Sequence, residues 1–268
     1  IWRGGNRPGF NPNDILRSHD RDYIVGERRI NIVSTLPEIT KDRKNTITCS
    51  KTTPRKLNGS YVPYAPELHS AEIESQGLWY LLRTLTQAFQ SVSDVPSRAI
   101  HGKTLSELTS LNFPLSIIAI EHMDDQEFYH SLANDTFPRP AAKVFAEVGL
   151  NEDKAKSYSA SSAQACCLAQ FLCSTYASVI RRYPDANLIP EFGRGMRNHV
   201  NAAKAMLALF DHDMAFEWSE KSRQTCLDTQ LMLELCLAVS YHSGPKMLNL
   251  VVDRWGSDWY RNYVMQGR

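Results

Sequence analysis

Residues 78–92, with the sequence LWYLLRTLTQAFQSV, carry apolar side chains three and four positions apart. That spacing places them on one face of an α-helix, which we predict over residues 67–92 with Pro66 in its first turn. The apolar face consists of Leu78, Leu81, Leu82, Leu85, Phe89 and Val92. We therefore expect a mainly α protein. The same period predicts further helices over residues 139–148, 164–181, 196–211, about 227–243 and from 247 onward.

The chain divides into two unlike parts at about residue 65. Residues 1–65 are rich in Arg, Asn, Pro and Thr, and they contain short β-like runs at 30–33 and 46–48. We predict an irregular N-terminal arm with two short strands. It should pack on the helical body of residues 66–268, because it has too little apolar material for a core of its own. The arm is also a candidate contact surface for a protein partner.

Charge and hydropathy exclude several classes of protein. The 268 residues include 30 Lys and Arg against 29 Asp and Glu, a net charge of +1. This balance gives no support to binding of nucleic acid or of an anionic membrane surface. No apolar run reaches the roughly 18 residues of a transmembrane helix. The chain opens IWRGGNRPGF, without Met or an apolar leader, which is compatible with removal of a signal peptide.

The cysteines form no CxxC pair, so neither a zinc ribbon nor a thioredoxin-type site is indicated. On one helix, Cys166 and Cys173 would lie about 10 Å apart along the axis, beyond the roughly 7 Å between Cα atoms that a disulfide spans. Any bridges should therefore join different segments. For most of the cysteines we expect small, buried, apolar side chains. The six are Cys49, Cys166, Cys167, Cys173, Cys226 and Cys236.

Residues 115–120 form an apolar run that ends in Glu121. Periodicity alone leaves open whether the run is a buried strand or a buried helix. A carboxyl group at the edge of a core is partly shielded from water, an environment typical of general acids. The alternative is a solvated glutamate at a helix end. Asp124 and Asp125 follow closely and are either a second carboxylate for catalysis or solvated residues in a turn.

Three segments, at residues 116–121, 165–176 and 238–245, together resemble the catalytic domain of the lytic transglycosylases. Those enzymes share the lysozyme-like fold and cleave the MurNAc–GlcNAc bond of bacterial peptidoglycan. In the family an apolar helix ends in the catalytic Glu, a Gln-containing segment shapes the glycan cleft, and an Ala-Tyr-Asn-x-Gly-Pro segment supplies a Tyr near that Glu. The resemblance covers about residues 110–260 and leaves the arm without a counterpart.

The resemblance implies a role for individual residues. Glu121 would be the catalytic acid and base. Residues 168–171 and 174–176 resemble the cleft segment, and Ser161 stands nine positions before its Gln, as in one branch of the family. The substrate-binding residues would be Ser161, Gln170, Tyr176, Tyr241 and His242. The chain departs from the family pattern at His122, Cys167 and His242, where Ser, Gly and Asn are usual.

The resemblance predicts a lysozyme-like helical domain that acts on peptidoglycan strands in the periplasm or outside the cell, without a metal or organic cofactor. Cleavage would leave a 1,6-anhydroMurNAc end. Two alternatives stay open. One is a hydrolytic muramidase on the same fold, with Asp124 or Asp125 assisting. The other is a catalytically degenerate module that binds glycan or has a structural role.

Overall fold

The structure of the protein, a computed structural model, describes residues 28–34, 37–41, 47–50, 55–134, 136, 138–157, 159–161 and 163–265. It is mainly helical, which confirms the prediction at that level. A π-helical turn, Asp213–Glu217, directly follows the helix that ends at His212. The α-helices are α1 (Ala71–Ser91), α2 (Asn112–His122), α3 (Asp125–Ala133), α4 (Pro138–Asn151), α5 (Cys173–Arg182), α6 (Phe192–Arg197), α7 (His199–His212), α8 (Glu220–Cys226), α9 (Gln230–Ser243), α10 (Pro245–Trp255) and α11 (Trp259–Met265).

The described part of the arm contains more β-structure than predicted. Strand β1 (Arg28–Ser34) pairs antiparallel with β4 (Arg55–Tyr61), and β2 (Glu38–Lys41) pairs with β3 (Ile47–Ser50). The predicted runs fall in β1 and β3. Strands β2 and β4 escaped prediction because they are polar, and backbone pairing with a neighbouring strand supports them. Residues 1–27 and Thr46 lie outside the described residues.

Helix α7 lies in the middle of the core. Nearly all of its residues are buried, from His199 to His212, so it is covered on every side. Helices α1 and α5 both pack against it. Burial around most of its circumference is typical of a helix in a core position.

Helices α1 and α4 cross at two glycines. A Cβ atom on Gly77 would lie 1.8 Å from the carbonyl oxygen of Phe145, and one on Gly149 would lie 2.1 Å from that of Ile73. The helix predicted over 139–148 extends further than expected, because α4 continues through Gly149 to Asn151. At this position glycine serves the close approach of two backbones, and it does not mark a helix end.

The helix predicted over 164–181 is wrong in its first half, because α5 begins only at Cys173. The preceding residues form a folded loop with isolated antiparallel bridges from Cys166 to Ala160 and to Phe171. Left-handed backbone at Gln164, Cys167 and Gln170, with φ of 64°, 68° and 46°, is incompatible with a continuous right-handed helix.

Most of the cysteines are buried, as expected, and in addition each of the six takes part in a disulfide. Two bridges join different elements, as the spacing argument required. One links β3 to the start of α5 and the other links α8 to α9, with Cα atoms 6.1 Å and 6.0 Å apart. The third joins adjacent residues of the loop before α5, so the expectation that any bridge joins different segments is wrong for this pair. The pairs are Cys49–Cys173, Cys226–Cys236 and Cys166–Cys167.

Within the described ranges, no helix combines the length and the apolar character needed to cross a membrane.

Candidate active site

The run at residues 115–120 is a helix, which settles the choice left open by periodicity. Ile117 and Ile118 of α2 are buried in the core, and α2 ends at His122, where the Met123 N–H donates to the carbonyl of Ala119 at 3.1 Å. Glu121 occupies the last turn, and its side chain is 18% exposed. The carboxylate therefore lies at the boundary between core and solvent.

Helix α9 brings a histidine to this carboxylate from the other end of the chain. Leu233, Leu237 and Ser240 bury one face of α9, and the helix ends at Gly244, which has a φ of 86°. His242, in the last turn, places its Nδ1 atom 3.4 Å from Oε1 of Glu121. The imidazole is 71% exposed. The hydrogen bond with Glu121 is the largest cause that raises the pKa of His242 above its usual value.

Tyr241 lies beside this pair and faces the protein. Its hydroxyl donates to the carbonyl oxygen of Ala169, and its ring contacts Phe171 and Phe210 edge-on, with centroids 6.1 Å and 5.8 Å away. Burial, and then the charge of Glu121, raises the pKa of Tyr241 well above its usual value. The phenol therefore stays protonated and keeps its role as a donor.

His122 holds the neighbouring carbonyl of the same loop. Its Nε2 atom lies 2.9 Å from the carbonyl oxygen of Leu168. A carbonyl only accepts, so Nε2 carries the proton and donates it. Burial lowers the pKa of His122 well below its usual value, and the ring is neutral. Residues 166–171 are here called the Cys166–Phe171 loop. His122, which follows Glu121, and Tyr241, which precedes His242, bind the adjacent carbonyls of Leu168 and Ala169 in this loop.

Gln170 stabilises this loop from within. Its backbone is left-handed, with a φ of 46°. Its side-chain nitrogen donates to the carbonyl of Cys167 at 2.7 Å and to the hydroxyl of Ser159 at 3.1 Å. Ser159 was not predicted from the sequence. The signal that was available is its position two residues before Ser161, in the same polar stretch.

Two residues predicted to bind substrate occupy other environments. Ser161 is bonded within its own turn, where its hydroxyl accepts from the Ala165 N–H at 3.0 Å. Tyr176 is fully buried in α5. Its hydroxyl donates to the Ile189 carbonyl and accepts from Asn201 Nδ2, both at 2.7 Å, and burial raises its pKa to about 12. Tyr176 thus packs in the core of the protein. Its contact with substrate stays a prediction.

The two aspartates after Glu121 are exposed. Asp124 begins α3, where its Oδ1 atom accepts from the N–H groups of Gln126 and Glu127 at 2.9 Å and 3.0 Å. This is an N-cap arrangement that stabilises the helix. The charge of Asp125 contributes to the raised pKa of His242, after Glu121. In the described part of the chain, no three His, Cys, Asp or Glu side chains are grouped so as to hold a metal ion.

A buried polar network supports the end of α9. Ser240 donates to Oδ2 of Asp213 at 2.7 Å and accepts from the indole N–H of Trp218 at 3.1 Å. Asp213 begins the π-helical turn that follows α7. The network fixes the residue immediately before Tyr241, so it helps to set where Tyr241 and His242 lie.

Comparison of the chain with models of known protein families, with curated proteins and with solved structures finds no match in any of the three.

Proposed function

We propose that this chain is a peptidoglycan lytic transglycosylase with a lysozyme-like catalytic domain, and that Glu121 is its acid and base. The observation that carries the proposal is the meeting of three segments that are distant in sequence. Glu121 at the end of α2 lies 3.4 Å from His242 of α9, and Tyr241 reaches the loop that contains Gln170. These are the three segments in which the sequence resembles the family.

The chemistry requires a single carboxyl group. Protonated Glu121 donates to the glycosidic oxygen, and the sugar passes through an oxocarbenium-like transition state. The resulting carboxylate removes the proton from the MurNAc 6-hydroxyl, which attacks the anomeric carbon. Because this nucleophile belongs to the substrate, its attack is effectively intramolecular, and such proximity contributes roughly 7–11 kcal/mol in well-aligned cases.

The environment of the aspartates favours this route over a hydrolytic muramidase. A muramidase needs a second carboxylate beside the sugar ring. Asp124 is occupied at the N-terminus of α3, and the influence of Asp125 on the site is its charge acting on His242. Glu121 is the partly buried carboxylate of the three, and it adjoins both Tyr241 and His242.

A periplasmic or extracellular location fits the proposal. The disulfides are compatible with an oxidising compartment outside the cytoplasm, where such bonds persist. The predicted partner is the glycan strand of peptidoglycan.

Digestion of purified sacculi tests the proposal. We expect the parent protein to release muropeptides that end in 1,6-anhydroMurNAc, which mass spectrometry identifies because they are lighter than reducing-end products by one water. Glu121→Gln, which keeps size but removes the titrating proton, should lower the rate by about 10²–10⁴-fold. Asp124→Asn is the matched control and should stay close to the parent rate.

The other outcomes are equally distinct. Reducing ends in the products, together with loss of activity in Asp124→Asn or Asp125→Asn, would indicate the muramidase. Binding to sacculi without any release would indicate the degenerate module. A Glu121→Gln variant that retains more than about a tenth of the parent rate would show that Glu121 is not the acid.

A further inference from the structure

The Glu121–His242 pair places a carboxylate and an imidazole side by side. Nδ1 of His242 and Oε1 of Glu121 face each other at 3.4 Å, one from α9 and one from α2. The carboxylate is mostly covered, at 18% exposed, whereas the imidazole is 71% exposed and in contact with solvent. Glu121 is therefore the shielded member of the pair, and His242 is the member that exchanges protons with water.

Among the described residues, the two charged groups that act on His242 are both acidic. Glu121 of α2 faces it, and Asp125 at the start of α3 acts on it through its charge. On α9 itself the neighbour is Tyr241, whose hydroxyl is bonded to the Ala169 carbonyl and stays protonated. Both carboxylates favour the imidazolium. Of the two, Glu121 lies within hydrogen-bonding distance, so it is the group able to receive the proton.

We propose that His242 stores the proton that Glu121 delivers to the glycosidic oxygen. This proposal rests on the function proposed above. In the free protein the pair holds one proton, on Nδ1 of His242, beside an ionised Glu121. Binding of a glycan strand excludes water, and burial disfavours a charged pair relative to a neutral one. The proton then moves from Nδ1 to Oε1 and is ready for transfer.

The proton balance closes over one turnover. Glu121 donates the proton to the leaving oxygen and then takes one from the MurNAc 6-hydroxyl as the new C–O bond forms. When product leaves and water returns, that proton moves back to Nδ1 of His242. No outside acid or base is consumed. His242 acts through Glu121 and does not itself touch the reacting atoms.

The pH dependence of activity follows from where the last proton is held. With His242 present, the pair keeps one proton until the pH rises through the raised pKa of the imidazole. Without it, the proton is held by a carboxyl group alone. Ordinary His and Glu pKa values differ by about 2 units, so the alkaline limb of activity should move toward acid by a comparable amount.

The first experiment measures kcat/KM against pH for the parent and His242→Gln, which keeps a hydrogen-bonding side chain. The ratio of the value at roughly pH 5 to that at roughly pH 7 should be at least about tenfold larger in His242→Gln. Replacement of another exposed histidine, His101→Gln, is the matched control and should leave the ratio unchanged. A uniform loss at every pH in His242→Gln, with the alkaline limb in place, would overturn the proposal.

The second experiment needs no activity. The imidazole of His242 is titrated by NMR in the parent, in Glu121→Gln and in Asp125→Asn. The pKa of His242 should fall in Glu121→Gln by more than it falls in Asp125→Asn. Equal or absent shifts would overturn proton sharing even in an active enzyme. The expected shifts in a protein that releases no muropeptides would instead count against the proposed function, so the two failures are distinguishable.

Discussion

Tyr176, which is fully buried, and Tyr241, which is partly buried, each bond through a single hydroxyl. Removal of that hydroxyl from each in turn tests the candidate site separately from the core. In Tyr241→Phe the carbonyl of Ala169 loses the donor that holds the Cys166–Phe171 loop against α9. In Tyr176→Phe the Ile189 carbonyl loses its donor and Asn201 loses one of its acceptors. Both changes preserve the ring and its packing. They differ in which part of the fold is released.

Stability alone predicts that Tyr176→Phe is the more damaging change. A buried polar group left without its partner costs about 1–3 kcal/mol. Tyr241→Phe affects one such group and Tyr176→Phe affects two, although Asn201 keeps a second acceptor in the Gly195 carbonyl at 3.0 Å. We expect losses of roughly 1–2 kcal/mol for Tyr241→Phe and 2–4 kcal/mol for Tyr176→Phe. For a chain of this size each kcal/mol lowers Tm by about 2–4 °C.

For activity we expect the opposite order, with the larger loss in Tyr241→Phe. Release of the Ala169 carbonyl loosens the loop that borders Glu121, so Tyr241→Phe should lower kcat/KM at least about tenfold, equivalent to roughly 1.4 kcal/mol. Tyr176→Phe should stay within about twofold of the parent once the folded fraction is taken into account. The assays are release of muropeptides from sacculi at a temperature well below both midpoints, and thermal unfolding followed by circular dichroism.

The reasoning is supported if Tyr176→Phe loses more stability and Tyr241→Phe loses more activity. If both variants lose activity in proportion to their loss of stability, Tyr241 is a core residue like Tyr176 and the loop does not border the catalytic centre. If Tyr176→Phe alone loses activity, the result would support the contact between Tyr176 and substrate that the family resemblance implies.

Two further predictions concern stability. Burial lowers the pKa of His199 from 6.5 to about 4, so the unfolded state binds a proton that the folded state rejects, and stability should fall by about 3 kcal/mol as the pH drops from about 6.5 to about 4. Urea unfolding should show this slope in the parent and a shallower one in His199→Gln, and equal slopes would assign the acid sensitivity to other groups. Loop-closure entropy predicts that Cys49→Ala with Cys173→Ala costs about 5 kcal/mol, against about 3 kcal/mol for Cys226→Ala with Cys236→Ala. The sequence separations are 124 and 10 residues, and the reverse order in urea unfolding would contradict the entropic argument.

Helix α1 was predictable because it is long and strongly periodic: its apolar spacing runs from Leu78 to Val92, the residue that caps its end. The run that ends in Glu121 lies in α2, but periodicity alone left strand and helix open there. The disulfides were not predictable in the same way, because nothing local in β3 indicates that Cys49 will lie beside α5. Pairing is a property of the tertiary fold, and the sequence supplies only the rule that bridged residues come within reach.

The contacts of the Cys166–Phe171 loop could not be predicted from the sequence for a different reason. The groups that connect it to the candidate site are the backbone carbonyls of Leu168 and Ala169, which accept from His122 and Tyr241. Every residue has a carbonyl, so an acceptor of this kind leaves no mark in the amino-acid sequence. The residues that donate are visible in the sequence, but their partners are decided by the path of the chain.

At Tyr176, helical spacing and the family resemblance predict different environments. Helical spacing puts it on the same apolar face as Val179 and Ile180, which indicates burial, whereas the family resemblance indicates the glycan cleft. The structure follows the spacing, and Tyr176 is fully buried. Spacing reflects the physical requirement that one face of a helix be covered, and this requirement acts on every helix of a folded chain. A motif is transferable only where the backbone around it is also shared. The backbone before α5 is a loop and not the helix that the sequence predicted, so the motif transfers poorly to Tyr176. Helix α9 follows its prediction closely. Tyr241 is therefore a better guide to the candidate site than Tyr176.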